Sequence, residues 1–397
     1  MFDHVVLRRA EGEGGVPISA GRIAEALLYY QHVHLVIDHG TLLALIAQLG
    51  AQRLLSLLRR PDLSAVYTEE ILAIVTEAVG VLQVHRCAAI EMGSQHSTVP
   101  IHTIHERLQY AVKSQVADKK TARTFVKDFL ERVPVRKLSK DHFLQGGIAN
   151  ATKRDLLDAE FTKAAVRKIL AQVPGGYDLG ADLEFEVIDS DLGLYVFHNI
   201  DLDAINQRRG ALQPVVEPLS IAHVLAQIQE ARADLALASF YGGDFVTSRL
   251  VSSVIQIRHE ELLRRSAINV GSQRQFAEVV LPDTPSLAEI IDSGERSFDE
   301  FLVLLDKAAR FKQWLKSVHP DEGLVRTYLH DVASEGWIQK LPAKTARYMM
   351  TTAFGAANPV AGVVSGLIDT FLVEKLLGGW RPNHFISRRL RPFVNDK

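Results

Sequence analysis

The chain has 397 residues, of which 47% are hydrophobic and 23% charged, a balance that is typical of globular proteins and excludes a disordered one. Its formal net charge of −2 gives no global attraction to nucleic acid or anionic lipid, so any such contact must be local. The length exceeds what one hydrophobic core normally covers, so two or three subdomains are expected.

The first hundred residues alternate between strand-like and helix-like patterns. Apolar, β-branched runs predict strands at residues 4–7 and 32–37, and helical periodicity predicts helices at 21–30 and 41–60, the second interrupted at Gly50. Residues 63–91 are then predicted to form extended strands with a turn at Gly80. This order indicates a small α/β module over residues 1–103.

The middle of the chain, residues 104–218, mixes helices with one hairpin. Amphipathic helices are predicted at 106–113 and 121–132. Thr152 and Asp155 have the spacing of a capping box that would open a helix reaching Val173. Strand-like runs at 183–188 and 194–197, joined by a turn-rich spacer, predict an antiparallel hairpin.

Residues 219–397 are mostly helical in pattern. Ser220 is placed to cap one helix, a second helix is predicted at 246–265, and Ser297 with Glu300 is placed to cap a third that carries an apolar stripe to Leu315. The sequence therefore predicts an α+β fold that is predominantly α. A small N-terminal α/β module is followed by a β-hairpin region and a helical C-terminal half.

Two short segments carry a family resemblance. Residues 199–210 (NIDLDAINQRRG) resemble the metal-binding strand and nucleotide-binding helix of GGDEF-type diguanylate cyclases, and residues 240–245 (FYGGDF) resemble their signature hairpin. The resemblance implies that Asp201 holds Mg²⁺ and Asn206 contacts a nucleotide. It also implies a cradle for phosphates and metal, formed by Gly242, Gly243 and Asp244.

These segments also have a structural interpretation. Phe245 stands where the family has a second acidic residue. In the alternative interpretation, Gly242 and Gly243 end one helix and Asp244 caps the next.

A cluster of histidines suggests a metal site. His32 and His34 alternate on a predicted strand and Asp38 follows, which are ligand types that bind Zn²⁺ or another transition metal. His102 and His105 could add further imidazoles. A half-buried strand followed by an Asp-His-Gly turn accounts for the same residues.

The stretch from Lys113 to Lys140 is locally basic, with Phe125 and Phe129 at helical spacing. It could contact phosphate or nucleic acid, or it could be a solvated helix face whose two aromatic rings belong to the core. No Walker A loop and no GxGxxG motif occurs in the sequence. The chain therefore carries no nicotinamide, flavin or P-loop nucleotide signature.

The C-terminal region is apolar and rich in small residues. Residues 347–357 and 360–377 predict a helical hairpin, in whose second helix Gly362 and Gly366 are four apart, a spacing that permits close helix packing. Trp380 and Phe385 follow in an otherwise polar, basic tail, so we expect the tail to dock on the body of the protein or on a neighbouring subunit.

The sequence also predicts a compartment. A single cysteine, Cys87, cannot form an internal disulfide, and the first residues lack the apolar region of a secretory signal, so a cytoplasmic location is expected. Asp369 and other charged residues interrupt the apolar segment 360–377, which makes membrane insertion an unfavourable interpretation.

We expect an interaction or assembly protein that acts through its helical C-terminal half, with itself or another protein as partner. Bacterial stress or defence is the setting that the lack of metabolic motifs suggests. Two alternatives remain open. The first is a metal-dependent or nucleotide-handling enzyme with an unknown small-molecule ligand, and the second is a membrane-active effector that uses residues 360–377.

Overall fold

The computed structural model of the protein describes residues 2–9, 17–91, 101–142, 146–212, 217–282, 284–318, 324–325, 327–328 and 380–395. The chain divides into two compact units. The larger unit comprises Val6–Ile18 and His34–Arg264, and the terminal unit comprises Met1–Val5, Ser19–Val33 and Arg265–Lys397.

Strands in the described residues form two four-stranded sheets, with orders β3-β2-β1-β8 and β4-β5-β7-β6. The strands are β1 (His4–Arg8), β2 (His32–Ile37), β3 (Leu63–Tyr67), β4 (Glu70–Val79), β5 (Leu82–Glu91), β6 (Phe185–Ser190), β7 (Gly193–His198) and β8 (Asp244–Phe245). Most of the remaining described residues are helical, so the predicted α+β, mainly helical fold is confirmed.

The helices of the first two thirds of the chain are α1 (Ala20–Tyr29), α2 (His39–Leu49), α3 (Ala51–Leu57), α4 (Ile104–Val112), α5 (Lys119–Arg132), α6 (Gly147–Leu156), α7 (Ala159–Gln172), α8 (Leu202–Leu212) and α9 (Ile221–Tyr241). Those that follow are α10 (Arg249–Val280), α11 (Leu287–Asp292), α12 (Phe298–Asp306), α13 (Ala309–Ser317), α14 (Pro382–Phe385), a π-helical turn (Ile386–Leu390) and α15 (Arg391–Asn395). Helix α10 extends beyond the predicted end at residue 265 and has non-helical backbone angles at His259 (φ −133°, ψ 44°).

The first sheet confirms the predicted alternation of strands and helices. Five of the six residues of β2 are buried, as expected for a strand covered on both faces. The amide of Thr68 donates to the carbonyl of Ile37 at 2.9 Å, which brings the carboxyl ends of β2 and β3 together. Gly50 separates α2 from α3 with a φ of 79°, a conformation that glycine adopts at little cost.

The second sheet contains the predicted hairpin. Strands β6 and β7 pair antiparallel, with Val187 opposite Val196, and β4 pairs with β5 around a turn at Gly80. Phe185 and Leu194 point from β6 and β7 into a hydrophobic core that includes Ile169 of α7. Alternation of side chains along each strand thus gives this sheet one buried face.

The predicted capping box at Thr152 and Asp155 is wrong. Thr152 lies within α6, where its Oγ1 donates to the carbonyl of Ile148 at 2.9 Å. The next helix, α7, begins after Asp158, whose carboxylate accepts the amide of Phe161 at 3.1 Å. The N-cap is therefore Asp158, three residues after the Asp155 of the predicted capping box.

Ser220 caps α9 as the sequence predicts, because its hydroxyl accepts the backbone amide of His223. We expect Ser220→Ala to lower the free energy of unfolding by about 1 kcal/mol, the usual cost of losing a serine cap. Urea denaturation measures this change. Ser252→Ala is the control, because its hydroxyl donates to the carbonyl of Arg249 inside α10 and caps no helix end. Equal stabilities for the two variants would contradict the assignment.

In the terminal unit, α1 packs closely on α11. A side chain added at Gly21 would come within 2.1 Å of the carbonyl oxygen of Ala288, so glycine is required for this approach. Asp292 ties the two helices together by accepting the Ser19 hydroxyl at 2.6 Å and the Gly21 amide at 2.8 Å. The stripe predicted as one helix from Phe298 to Leu315 is instead split between α12 and α13.

Aromatic side chains form much of the core of the terminal unit. Phe276, Phe311 and Trp314 are each no more than 1% exposed and contact one another with ring centroids 5.7–6.2 Å apart. Phe385 of the C-terminal tail is 3% exposed and stacks on Phe311 at 4.9 Å. The tail therefore docks on the protein's own helices through Phe385, one of the two surfaces expected from the sequence.

The sequence also predicts Trp380, Gly362 and Gly366 at this interface. Trp380 is half-buried. Gly362, Gly366 and the rest of the helical hairpin predicted at 347–377 lie outside the described residues. Within the parts that the structure describes, no single helix is long and apolar enough to cross a membrane. The pair α2 and α3 meets the length and composition criteria only together, and it is bent by 108°.

Candidate functional site

The predicted metal ligands occupy separate environments. The ring of His32 lies 5.4 Å from that of His4, and Asp38 accepts the amide of Thr41 at 2.6 Å as the N-cap of α2. His34 is buried on β2 and hydrogen-bonds Ser64. Among the residues that the structure describes, no three His, Cys, Asp or Glu side chains are grouped to hold a metal ion. The metal role of these residues stays a prediction.

The first segment with a family resemblance is held by local hydrogen bonds. Asp201 accepts the amide of Ala204 at 2.9 Å. The side chain of Asn206 accepts the amide of Leu219 at 2.6 Å and donates to its carbonyl at 2.9 Å. Asn206 thus holds the backbone of Leu219, just before α9, in place. Its contact with a nucleotide stays a prediction.

The second segment does not form the hairpin that the resemblance implies. Gly242 ends α9 in the left-handed conformation, with a φ of 70°, as the structural interpretation expected. Asp244 follows Gly243 into the two-residue strand β8, and the hydroxyl of Ser248 accepts the amide of Val251 at the start of α10. Ser248, not Asp244, therefore caps that helix.

Residues from three of the sequence segments nevertheless line one pocket in the larger unit: the histidine motif, the basic stretch and the segment 240–245. The residues to which the family resemblance gives a role do not line it, namely Asp201, Asn206, Gly242, Gly243 and Asp244. This open pocket has a volume of about 400 Å³, which falls in the size range of small-molecule sites. We call it the aromatic–arginine pocket. It is lined by His34, Leu58, Leu63, Ser64, Ala65, Val66, Arg132, Val133, Pro134, Arg136, Phe240 and Tyr241.

Backbone pairing positions the arginine side of the pocket. The amide of Tyr67 donates to the carbonyl of Pro134 at 3.0 Å, and the amide of Arg136 donates to the carbonyl of Tyr67 at 2.8 Å. The chain that leaves α5 therefore runs beside the end of β3. This pairing holds Arg136 at the pocket, together with Arg132 from the last turn of α5.

The opposite side consists of stacked rings. His34 and Tyr241 are stacked, with ring centroids 3.7 Å apart and planes inclined by 22°. The Nδ1 atom of His34 hydrogen-bonds the Ser64 hydroxyl at 2.8 Å, and the Tyr241 hydroxyl hydrogen-bonds Nε2 of His142 at 3.1 Å. Phe240 meets the ring of His142 edge to face. These contacts fix the position of each ring before any ligand arrives.

Electrostatics favour neutral rings and a positive rim. Burial raises the pKa of Tyr241 to about 12, and burial also lowers the pKa of His142. Both groups are therefore neutral near pH 7. The charge of Arg136 lowers the pKa of His142 further and offsets part of the rise at Tyr241, whereas the nearby charge of Asp141 raises both pKa values. Asp141 does not line the pocket, and none of the described lining residues is acidic. Two arginines thus line the pocket, and no carboxylate is among its described lining residues.

Several residues of this pocket belong to segments that the sequence analysis singled out, but the sequence did not predict that these segments come together. His34 belongs to the histidine motif, Arg132 and Arg136 belong to the basic stretch, and Tyr241 precedes the paired glycines. Ser64 was missed. Only the adjacency of β2 and β3 brings its hydroxyl to His34, and no periodicity reports which strands are neighbours.

A second polar cluster lies at the carboxyl ends of the first sheet. Arg8 contacts Glu230 at 2.5 Å and Asp234 at 2.9 Å, and Glu70 accepts both the amide and the hydroxyl of Ser139 at 2.7 Å. The adjoining cavity of about 20 Å³ has room for about one water molecule. Arg8, Glu230, Asp234 and Glu70 each have a partner within the protein, so the cluster has a structural role.

Comparisons of the chain with protein-family models, with curated proteins and with solved structures found no match. The case for a function therefore depends on the geometry of the aromatic–arginine pocket.

Proposed function

We propose that the larger unit binds a small organic phosphate in the aromatic–arginine pocket. The observation that carries this proposal is the placement of Arg132 and Arg136 on a pocket of about 400 Å³ whose described lining contains no acidic side chain. Arginine suits phosphate because its planar guanidinium can donate two parallel hydrogen bonds to phosphate oxygens.

The apolar and aromatic lining supports an organic ligand over an inorganic ion. Tyr241, Phe240 and Pro134 offer flat apolar surface beside the arginines. Small-molecule sites commonly combine an apolar lining with a few polar groups that orient the ligand. A phosphate attached to a ring, such as a nucleoside monophosphate, matches both features of the pocket.

Binding to an extended nucleic acid through the whole basic stretch stays a prediction. Phe125 and Phe129 are fully buried, so they support the interpretation of α5 as a helix with an aromatic core face. The two arginines at the end of the stretch line a pocket, whereas Lys127 is 72% exposed and pairs with Glu131. A concave site favours a small ligand.

Calorimetric titration of the purified protein with AMP, inorganic phosphate and acetate tests the proposal. We expect saturable binding of AMP, weaker binding of inorganic phosphate and weaker still of acetate, because only AMP can use both the guanidinium groups and the rings. Bound AMP should also raise the melting temperature, since a ligand that binds only the folded state stabilises it. If AMP bound no more tightly than about 1 mM, or no better than acetate, the proposal would be wrong.

The assembly role predicted from the C-terminal half remains a separate proposal. Its main support is the apolar sequence at 343–377, which lies outside the described residues. Exposed apolar side chains on the second sheet, among them Ile188 and Phe197, offer additional surface for a partner. Neither feature bears on the pocket, so both roles can coexist in one chain.

A further inference from the structure

We propose that Ser64 is a nucleophile and His34 its general base, so that the pocket hydrolyses the phosphate monoester it binds. This inference rests on the proposed function, because it assigns a reaction to the same pocket. It starts from a pair of side chains that phosphate binding alone does not require.

The two groups have the geometry of a nucleophile and its base. Ser64 Oγ lies 2.8 Å from His34 Nδ1, within the hydrogen-bond reach that proton transfer needs. Both residues line the pocket, and they lie on the neighbouring strands β2 and β3, which are rigid supports. Ser64 therefore lines the same pocket as Arg132 and Arg136.

A third group holds the base in place. Tyr241 stacks on the imidazole of His34 at 3.7 Å and is itself held by the hydrogen bond from its hydroxyl to His142. His34 is only 9% exposed. A base whose ring is packed on one face and hydrogen-bonded to the nucleophile keeps one orientation, which is the role of the third member in nucleophile–base–orienter sets.

The first chemical step transfers the phosphoryl group to the protein. The Oγ atom of Ser64 forms a bond to phosphorus while the bond from phosphorus to the ester oxygen breaks. The Ser64 proton moves to Nδ1 of His34. The departing oxygen lies on the opposite side of phosphorus, so it takes its proton from a solvent water molecule and leaves as an alcohol. Arg132 and Arg136 stabilise the charge on the remaining phosphoryl oxygens.

The second step uses water as the co-reactant. A water molecule attacks phosphorus from the side opposite Ser64 Oγ and loses its proton to the solvent, while the bond between Ser64 Oγ and phosphorus breaks. Ser64 recovers a proton from His34, so inorganic phosphate leaves and both side chains return to their starting state. The net reaction converts a phosphate monoester and water into an alcohol and phosphate.

Phosphate release from p-nitrophenyl phosphate and from AMP tests the inference, together with mass spectrometry of acid-quenched protein. Wild-type protein should release phosphate and carry a phosphoryl group on Ser64. Ser64→Ala and His34→Gln should each lose at least about 100-fold in rate, the lower range for removing a general base. Ser64→Ala should still bind AMP. Ser56→Ala is the control, because Ser56 is exposed on α3 and does not line the pocket.

Two results would overturn the inference. One is a Ser64→Ala protein that releases phosphate as fast as wild type. The other is a wild-type protein that binds AMP but produces neither phosphate nor phosphoserine, which would leave the binding function standing. If wild type did not bind AMP at all, the proposed function and this inference would fail together. Should His34→Gln fail to fold, the Ser64→Ala result and the site of phosphorylation decide the outcome.

Discussion

Arg8→Ala is expected to lower the free energy of unfolding by about 3–5 kcal/mol, the cost of breaking a buried ion pair by removing one partner. Arg8 contacts Glu230 and Asp234, and the three side chains are only 10%, 6% and 4% exposed. The substitution would leave two buried carboxylates without their guanidinium. Because small domains are stable by only about 5–15 kcal/mol, much of the larger unit's stability depends on this contact.

The direction of the pKa shifts agrees with this expectation. Burial opposes the charge of Arg8, but the attraction of Glu230 and Asp234 outweighs it and raises the arginine pKa. Burial also raises the pKa of Asp234, and Arg8 offsets part of that effect. Without Arg8, the pKa of Asp234 should rise further, and its carboxylate would be costly to keep ionised.

Urea denaturation of Arg8→Ala measures the loss, and Arg86→Ala is the matched control. Arg86 pairs with Glu77 at the surface, where the two side chains are 48% and 54% exposed, and such pairs contribute about 0–1 kcal/mol. Arg8→Lys should fall between wild type and Arg8→Ala, because it keeps a charge but loses the guanidinium fork. If Arg8→Ala lowered the free energy of unfolding no more than Arg86→Ala does, the buried ion pair would not stabilise the fold as expected.

The double variant Arg132→Ala, Arg136→Ala is expected to bind AMP about 100-fold more weakly than wild type. A hydrogen bond to a charged group contributes about 1.5–3 kcal/mol, and about 1.4 kcal/mol corresponds to a tenfold change in the dissociation constant. Loss of one such bond at each arginine therefore gives about two factors of ten. Calorimetric titration at fixed salt concentration measures the change.

The matched control is Lys119→Ala, Lys127→Ala. It removes the same number of positive charges from the same basic stretch, on α5, but neither lysine lines the pocket. We expect its affinity for AMP to stay within a factor of a few of wild type. Equal losses in the two double variants would mean that the basic stretch acts through its overall charge, as the nucleic-acid interpretation supposes, and not through the pocket.

Local patterns predicted much of the fold because local physics decides those elements. The β6–β7 hairpin follows from alternating apolar residues around a turn, and the Ser220 cap follows from a hydroxyl at the first turn of an apolar helix. The predicted helix start was wrong where two residues had the sequence pattern of an N-cap. Thr152 with Asp155 has the spacing of a capping box, but Asp158 ends the intervening turn and caps the helix that forms.

The candidate site was predicted only in fragments, because its construction depends on contacts between distant segments. The sequence marked His34 as an imidazole on a strand and Arg136 as part of a basic run. Tyr241 lies 207 positions after His34 in the sequence. The two rings stack only because α9 packs on the strands of the first sheet, a contact that no local sequence pattern reports.

If a phosphate binds between the arginines and the stacked rings, a crystal structure of the protein soaked with AMP will show it there. We expect phosphate oxygens within hydrogen-bond distance of Arg132 or Arg136, with the nucleoside against the Tyr241 side of the pocket. An empty pocket in crystals where AMP is bound elsewhere on the protein would contradict it.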